Sequence, residues 1–206
     1  MHSVVSEIVV NNDWRDGEFA KYKANSLNVE ESLWCRMCIP MIYANWEGFV
    51  VDALKIMLNH LNKLELQSTQ LPSNLVVVGL GDAYRTLSGK QSFQQRIDFT
   101  NSFNDLLSKP VKFKTKVDTK SNLKSDVFNE LCGSFDFDSD KFKELLKDID
   151  RLVHIRNSIA HGENSIKPNM VNIERYIESV KSAIDLLLYE IDEYLSLEKY
   201  LIRVNG

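Results

Sequence analysis

The chain has 206 residues, 44% of them hydrophobic and 26% charged, with eight Gly and four Pro. A chain of this length buries roughly 70% of its unfolded surface and folds without a disulfide or structural metal, and this composition excludes wholesale disorder and collagen-like or low-complexity architectures. The net charge of −4 argues against a non-specific nucleic-acid coat, which carries a basic excess, but leaves room for a local basic site.

Residues 1–10 are read as an extended arm at the start of a single domain covering 1–206. The opening MHSVVSEIVVNNDWRD lacks the basic start and long apolar core of a signal peptide. No apolar run reaches the ~18 residues that span a bilayer. A cytoplasmic location with no membrane partner is therefore expected. Residues 12–26 predict a helix interrupted by Gly17. Asn28-x-x-Glu31 reads as a capping box, opening a helix to about Lys63. Its apolar stripe is Leu33, Met37, Met41, Phe49, Leu54, Met57 and Leu61, with a kink or break expected at Pro40. Cys35 and Cys38 form a CxxC, but Cys132 makes the number odd and no second pair follows at zinc spacing. These are read as buried reduced thiols, with no metal and no cofactor.

After a loop at 64–74, helices are predicted at about 75–88 and 91–108, the run Val76-Val77-Val78 leaving a strand open in the first. Gly79-x-Gly81 is too short for a nucleotide fingerprint. In VKFKTKV, 111–117, apolar and Thr positions alternate with Lys112, Lys114 and Lys116. Period two predicts a short strand or extended segment with one lysine face. Helices follow at about 122–132 and 139–161, the latter ended by Gly162. The last, about 169–200, carries a stripe at Ile173, Ile177, Val180, Ile184, Leu187, Leu188, Ile191 and Leu195. The fold class is all-α, a helical bundle with at most a small β insertion near 111–117.

The helix at 139–161 holds the informative anomaly. Its stripe runs Phe142, Leu145, Leu146, Ile149, Leu152, Val153, and the next steps land on Arg156, Asn157 and Ala160. A guanidinium on the buried face needs a partner or a wet cleft. One reading is a structural pair with a carboxylate such as Glu47. The other is phosphodiester chemistry in RNA: Arg binds phosphate and stabilises growing negative charge, His moves a proton near neutral pH, and Asn supports either. On an ideal helix Arg156 and His161 are separated by about 140° and about 7.5 Å. Unwinding at Gly162, or a two-fold dimer bringing two motifs to one cleft, reconciles this.

Arg156-Asn157-Ser158-Ile159-Ala160-His161 matches the R-x4-H motif of the HEPN superfamily. The wider LVHIRNSIAHGE, with MIYANWEGFV (41–50) and TKSNLKSDV (119–127), resembles the bacterial toxin- and defence-type branch, MAE-like or RiboL-PSP-HEPN-like. The resemblance implies a HEPN bundle that dimerises through the motif, with itself or a related HEPN subunit. It also implies a metal-independent endoribonuclease in a toxin–antitoxin or phage-defence system. Arg156 would hold the phosphate, His161 would be general base or acid, and Asn157 would support them. In some such toxins a Tyr two residues after the His is modified to silence them. Glu163 stands there in this chain, so an antitoxin or neighbouring defence protein acting by binding is the expected restraint. The alternative is a non-catalytic HEPN module binding nucleotide, RNA or protein.

Glu47 is read as supporting Arg156 or His161, or as an inter-helix ion pair. Tyr43 and Trp46 are read as core or interface anchors, and His154 as a surface or packing residue. His2 and His60 carry no constellation. Residues 85–124 hold nine Lys or Arg against three Asp. Lys112, Lys114, Lys116 and Lys120 are candidate RNA-binding residues on that strip, or a solvated guard on an edge strand.

Overall fold

The computed structural model describes residues 1–84 and 91–202. Among them run α1 (Ser3–Asn12), α2 (Trp14–Ala24), α3 (Glu31–Lys63), α4 (Ser73–Tyr84), α5 (Phe93–Leu107), α6 (Ser125–Phe135), α7 (Lys143–Ala160) and α8 (Met170–Ser196). No helix among the described residues is long and apolar enough to cross a membrane. The long α3 is the frame, packed by α8, α7, α1 and α2, while α4 lies on α6.

The N-terminus forms a helix instead of an extended arm. Val4, Val5 and Ile8 follow helical spacing and are buried, and His2 caps α1 by accepting from the Val4 N–H at 3.2 Å. Gly17 lies within an unbroken α2. α3 is capped by Glu30, whose carboxylate accepts from the Ser32 and Leu33 N–H groups, so the expected Asn28 box does not form. Pro40 lies inside a continuous α3. The first half of the predicted α3 stripe is on the outside: Leu33, Met37 and Met41 are exposed, and Cys35, Cys38, Ile39, Ile42 and Trp46 take the core. All three cysteines are buried free thiols. Phe49, Leu54, Met57 and Leu61 are buried as expected.

α4 is helical through Val76-Val77-Val78. The predicted helix to residue 88, and Arg85 and Lys90 of the basic strip, extend into residues outside the described ones. The short β insertion at 111–117 is absent; the segment is an extended strap without a strand ladder. Its alternation is real: Val111 and Phe113 are buried, while Lys112, Lys114 and Lys116 are exposed. A side chain replaces the neighbouring strand. Asn62 on α3 accepts from the Phe113 N–H at 2.8 Å and donates to its carbonyl at 2.9 Å. The strap runs close to Gly79 on α4, where a Cβ would fall 2.1 Å from Val111 Cγ1.

The predicted helix from 139 divides into a 3-10 turn at Ser139–Phe142 and α7. Trp46, Phe128 and Phe142 form an aromatic series, with centroids 5.2 and 4.8 Å apart, that locks α3, α6 and the entry to α7 together. In α8 the predicted stripe is buried at Ile173, Ile177, Val180, Leu187, Ile191 and Leu195.

Candidate active site

Four segments meet at the motif: α3, the end of the strap, the start of α6, and α7. Tyr43 and Trp46 of α3 grip the backbone of Leu123 from both sides. The Tyr43 hydroxyl accepts the Leu123 N–H at 2.8 Å, and Trp46 Nε1 donates to the Leu123 carbonyl at 3.3 Å. α6 then starts at Ser125 without a cap from its own N-cap side chain, that of Lys124. Asp150 on α7 supplies one, accepting from the Ser125 N–H and Oγ–H at 2.7 Å each. Two turns further along α7, Asn157 Nδ2 donates to Asn122 Oδ1 at 3.0 Å. The motif helix is thus tied to the strap–α6 junction at two points.

Arg156 is half-buried, as its place on the stripe predicts. Its guanidinium carbon lies 4.6 Å from the centroid of the buried Tyr43 ring, and Nη1 donates to Asn157 Oδ1 at 2.8 Å. Among the described residues no carboxylate is within 4 Å of this cation. The expected Glu47–Arg156 pair is not formed. Glu47 instead accepts from Thr119 Oγ1 at 2.6 Å and faces the Tyr43 hydroxyl. Its link to Arg156 runs through Tyr43, four residues before it on the same face of α3. Burial, reinforced by the Glu47 carboxylate, pushes the Tyr43 phenol up to about 12, against the opposing pull of the Leu123 N–H and Arg156.

His161 follows the last residue of α7, with φ −85° and ψ 6°. Gly162 then turns into the left-handed region at φ +80°. The Gly162 N–H reaches the Ile159 carbonyl and the Glu163 N–H the Ser158 carbonyl, a Schellman ending. The helix does not unwind ahead of His161; it stops behind it. The imidazole is exposed, with no hydrogen bond among the described residues, and none links it to Arg156. The return loop is held from α3, where Arg36 donates to the carbonyls of Glu163 at 2.8 Å and Ile166 at 3.1 Å. His154 is exposed.

Lys114, Lys116 and Lys120 share a cleft of about 360 Å³ between strap, α4 and α6, floored by Val78, Val117 and Phe135. Lys120 is ion-paired to Glu130 at 2.5 Å. Lys112 lies apart, 3.8 Å from Glu65. Asn122 and Thr119 escaped the sequence reading because a hydrogen-bonding side chain in a loop leaves no periodic signal, and Asp150 because a carboxylate off the apolar stripe of α7 looks like any solvated helix residue. The only pointer was the TKSNLKSDV segment as a whole. His2 and His60, unconnected in sequence, meet edge-to-face at 5.1 Å.

The all-α bundle carries Arg156-x4-His161 at the end of α7, with the Arg on an aromatic ring, which keeps the motif on which the HEPN resemblance rests. A family model described as RiboL-PSP-HEPN matches residues 10–196, and the chain belongs to that family. The family indicates a nuclease- or RNase-like module. No curated protein and no solved structure matches the chain.

Proposed function

We propose that the chain is a metal-independent endoribonuclease of the toxin or defence type, acting in the cytoplasm. One observation carries this reading. Arg156 is held by neutral groups, the Tyr43 ring and the Asn157 amide oxygen, and by no carboxylate within 4 Å among the described residues. A cation fixed but not neutralised keeps its charge for an anion such as a phosphodiester.

In the reaction the ribose 2′-hydroxyl attacks the adjacent phosphorus, and the bond to the 5′-oxygen breaks. The products are a 2′,3′-cyclic phosphate and a 5′-hydroxyl. Arg156 binds the non-bridging oxygens, whose charge grows in the transition state. His161 takes the proton from the 2′-hydroxyl or returns one to the departing 5′-oxygen. Asn157 holds Arg156, and Glu47 supports it at one remove through Tyr43. Because Arg156 and His161 occupy different sides of one helix end, a second HEPN copy, identical or related, completes the cleft across a two-fold axis. Lys114, Lys116 and Lys120 track the RNA backbone, with Lys112 at the far end of the strap. With Glu163 in place of the modifiable tyrosine, an antitoxin or neighbouring defence protein restrains the enzyme by binding.

A second reading, a HEPN module that binds RNA or nucleotide without cutting it, is supported by the same lysine cleft and uses Arg156 but not His161. One experiment separates them: incubation of defined tRNA and mRNA in EDTA with wild type, Arg156→Ala and His161→Ala, followed by end-group analysis. The expected result is 5′-hydroxyl ends from wild type and none from either variant. Cleavage by folded His161→Ala at the wild-type rate, or a strict Mg²⁺ requirement, would overturn the mechanism. Binding without cleavage by wild type would favour the second reading.

A further inference from the structure

We propose that Asn122, in the turn between the strap and α6, is a positioning residue for Arg156: it helps to fix which end of the Asn157 amide faces the guanidinium. This rests on the ribonuclease reading for its catalytic consequence, but not for its geometry.

An asparagine amide has one accepting and one donating end, and the two differ little in shape. Arg156 has only donors, so Asn157 is useful to it in one orientation, with Oδ1 toward Nη1, where the distance is 2.8 Å. A half-turn of the amide would lose this bond and set donor against donor. The third member adds a second cost to that turn. Asn122 Oδ1 accepts from Asn157 Nδ2 at 3.0 Å, so a turned Asn157 would place two oxygens together on that side. The main chain that carries Asn122 is fixed: its N–H reaches the Thr119 carbonyl at 3.0 Å and its carbonyl accepts the Lys124 N–H at 2.9 Å. On either side of it, Thr119 is bonded to Glu47 and Leu123 to Tyr43 and Trp46. Both supports of Arg156, the amide and the ring, are therefore referred to the same few residues, 119–123, between the strap and α6. The motif helix supplies the charge, and this turn helps to set its direction.

Asn122→Ala removes the acceptor and leaves these backbone bonds in place. Asn122→Asp keeps an acceptor of the same shape. Two readouts are taken on full-length protein shown to be folded by its melting curve. The first is nitrogen-15 NMR of the Asn157 side-chain amide and the Arg156 guanidinium. Wild type and Asn122→Asp are expected to show protected, distinct signals, and Asn122→Ala averaged ones. The second is RNA cleavage kinetics. Asn122→Ala is expected to lower kcat about tenfold, the scale of one hydrogen bond, with KM changed less than about twofold. Asn122→Asp is expected to recover most of the loss. Unchanged Arg156 and Asn157 signals in Asn122→Ala overturn the proposal, as does an unchanged kcat. Should alanine unfold this turn, Asn122→Leu, which keeps the bulk of the side chain without an acceptor, provides the same comparison. If wild type does not cut RNA, the ribonuclease reading fails while the NMR comparison still decides the geometry.

Discussion

Replacing Tyr43 with Phe removes one oxygen and separates two roles carried by one side chain. Tyr43 is 2% exposed. Its hydroxyl is the acceptor for the Leu123 N–H at 2.8 Å in a buried setting, so the substitution strands that N–H. An orphaned buried donor costs about 1–3 kcal/mol. Taking ~2 kcal/mol, and roughly 2–4 °C per kcal/mol for a chain of this size, the melting temperature should fall by about 6 °C. The phenol is pushed up to about 12, so it is neutral at pH 7 and no charge is removed. A group with its folded pKa raised contributes fully below its ordinary value near 10, and that contribution is lost as pH rises through 12. The ring stays beneath Arg156, whose contact at 4.6 Å is independent of the hydroxyl. Cleavage measured well below the melting temperature should stay within about threefold of wild type. Tyr43→Leu loses the ring as well and should lower both stability and cleavage. Calorimetry and initial rates on the three proteins decide the matter. A Tyr43→Phe variant that melts with wild type would refute the account of the Leu123 contact, and a Tyr43→Leu variant as active as Tyr43→Phe would refute the ring as a platform.

Gly162 sits at φ +80°, so Gly162→Ala should cost about 1–2 kcal/mol and lower cleavage by shifting His161, measurable by urea titration and initial rates. Gly79→Ala would place a methyl 2.1 Å from Val111 Cγ1 and force the strap outward; a loss of about 1–3 kcal/mol is expected, and an unchanged midpoint would mean the strap does not bear on α4. Burial pushes the Cys132 thiol up to about 12 and that of Cys38 up to about 11. Since unfolded thiols titrate near 8.5, stability should be constant below about pH 8.5 and decline as pH rises through 11 and 12. Urea midpoints across that range test this, with a shallower decline expected for Cys132→Ala. Native protein should react with a thiol reagent only as fast as it unfolds.

Helix identity was legible wherever one face of a segment carries the whole signal. In α8 and α7 the predicted stripes are the buried ones because each helix packs along one side. α3 misled at its first half because it is packed on several sides by α1, α2, α7 and α8, so small Cys35 and Cys38 are interior while the larger Leu33, Met37 and Met41 lie outside. The N-terminal segment was misread because ten residues with four valines look extended, whereas its burial against α3 sets a helical period. The strap kept the alternation of a strand without the ladder, since Asn62 can replace a neighbouring backbone and no residue pattern announces that substitution. At the site, Arg156 and Asn157 were visible as polar residues on an apolar stripe. For Glu47 the sequence shows the helix but not the neighbour, because its distance to Thr119 depends on how the loop after the strap closes.

The two motif residues end in opposite mechanical states, and this has a consequence for separating function from fold. Arg156 is integrated into the packing through Tyr43, Asn157 and, beyond them, Asn122 and Leu123. Truncating it removes a cation from a half-buried site and leaves Asn157 without its donor, so some stability should be lost along with activity. His161 contributes only backbone to the end of α7: its N–H reaches the Asn157 carbonyl at 3.0 Å, and the Schellman bonds belong to Gly162 and Glu163. Its exposed imidazole touches no hydrogen-bonding partner among the described residues, so alanine there should leave the melting temperature within about 1 °C of wild type. The two substitutions should therefore separate: His161→Ala is expected to remove cleavage with the fold intact, whereas Arg156→Ala is expected to lower both cleavage and stability.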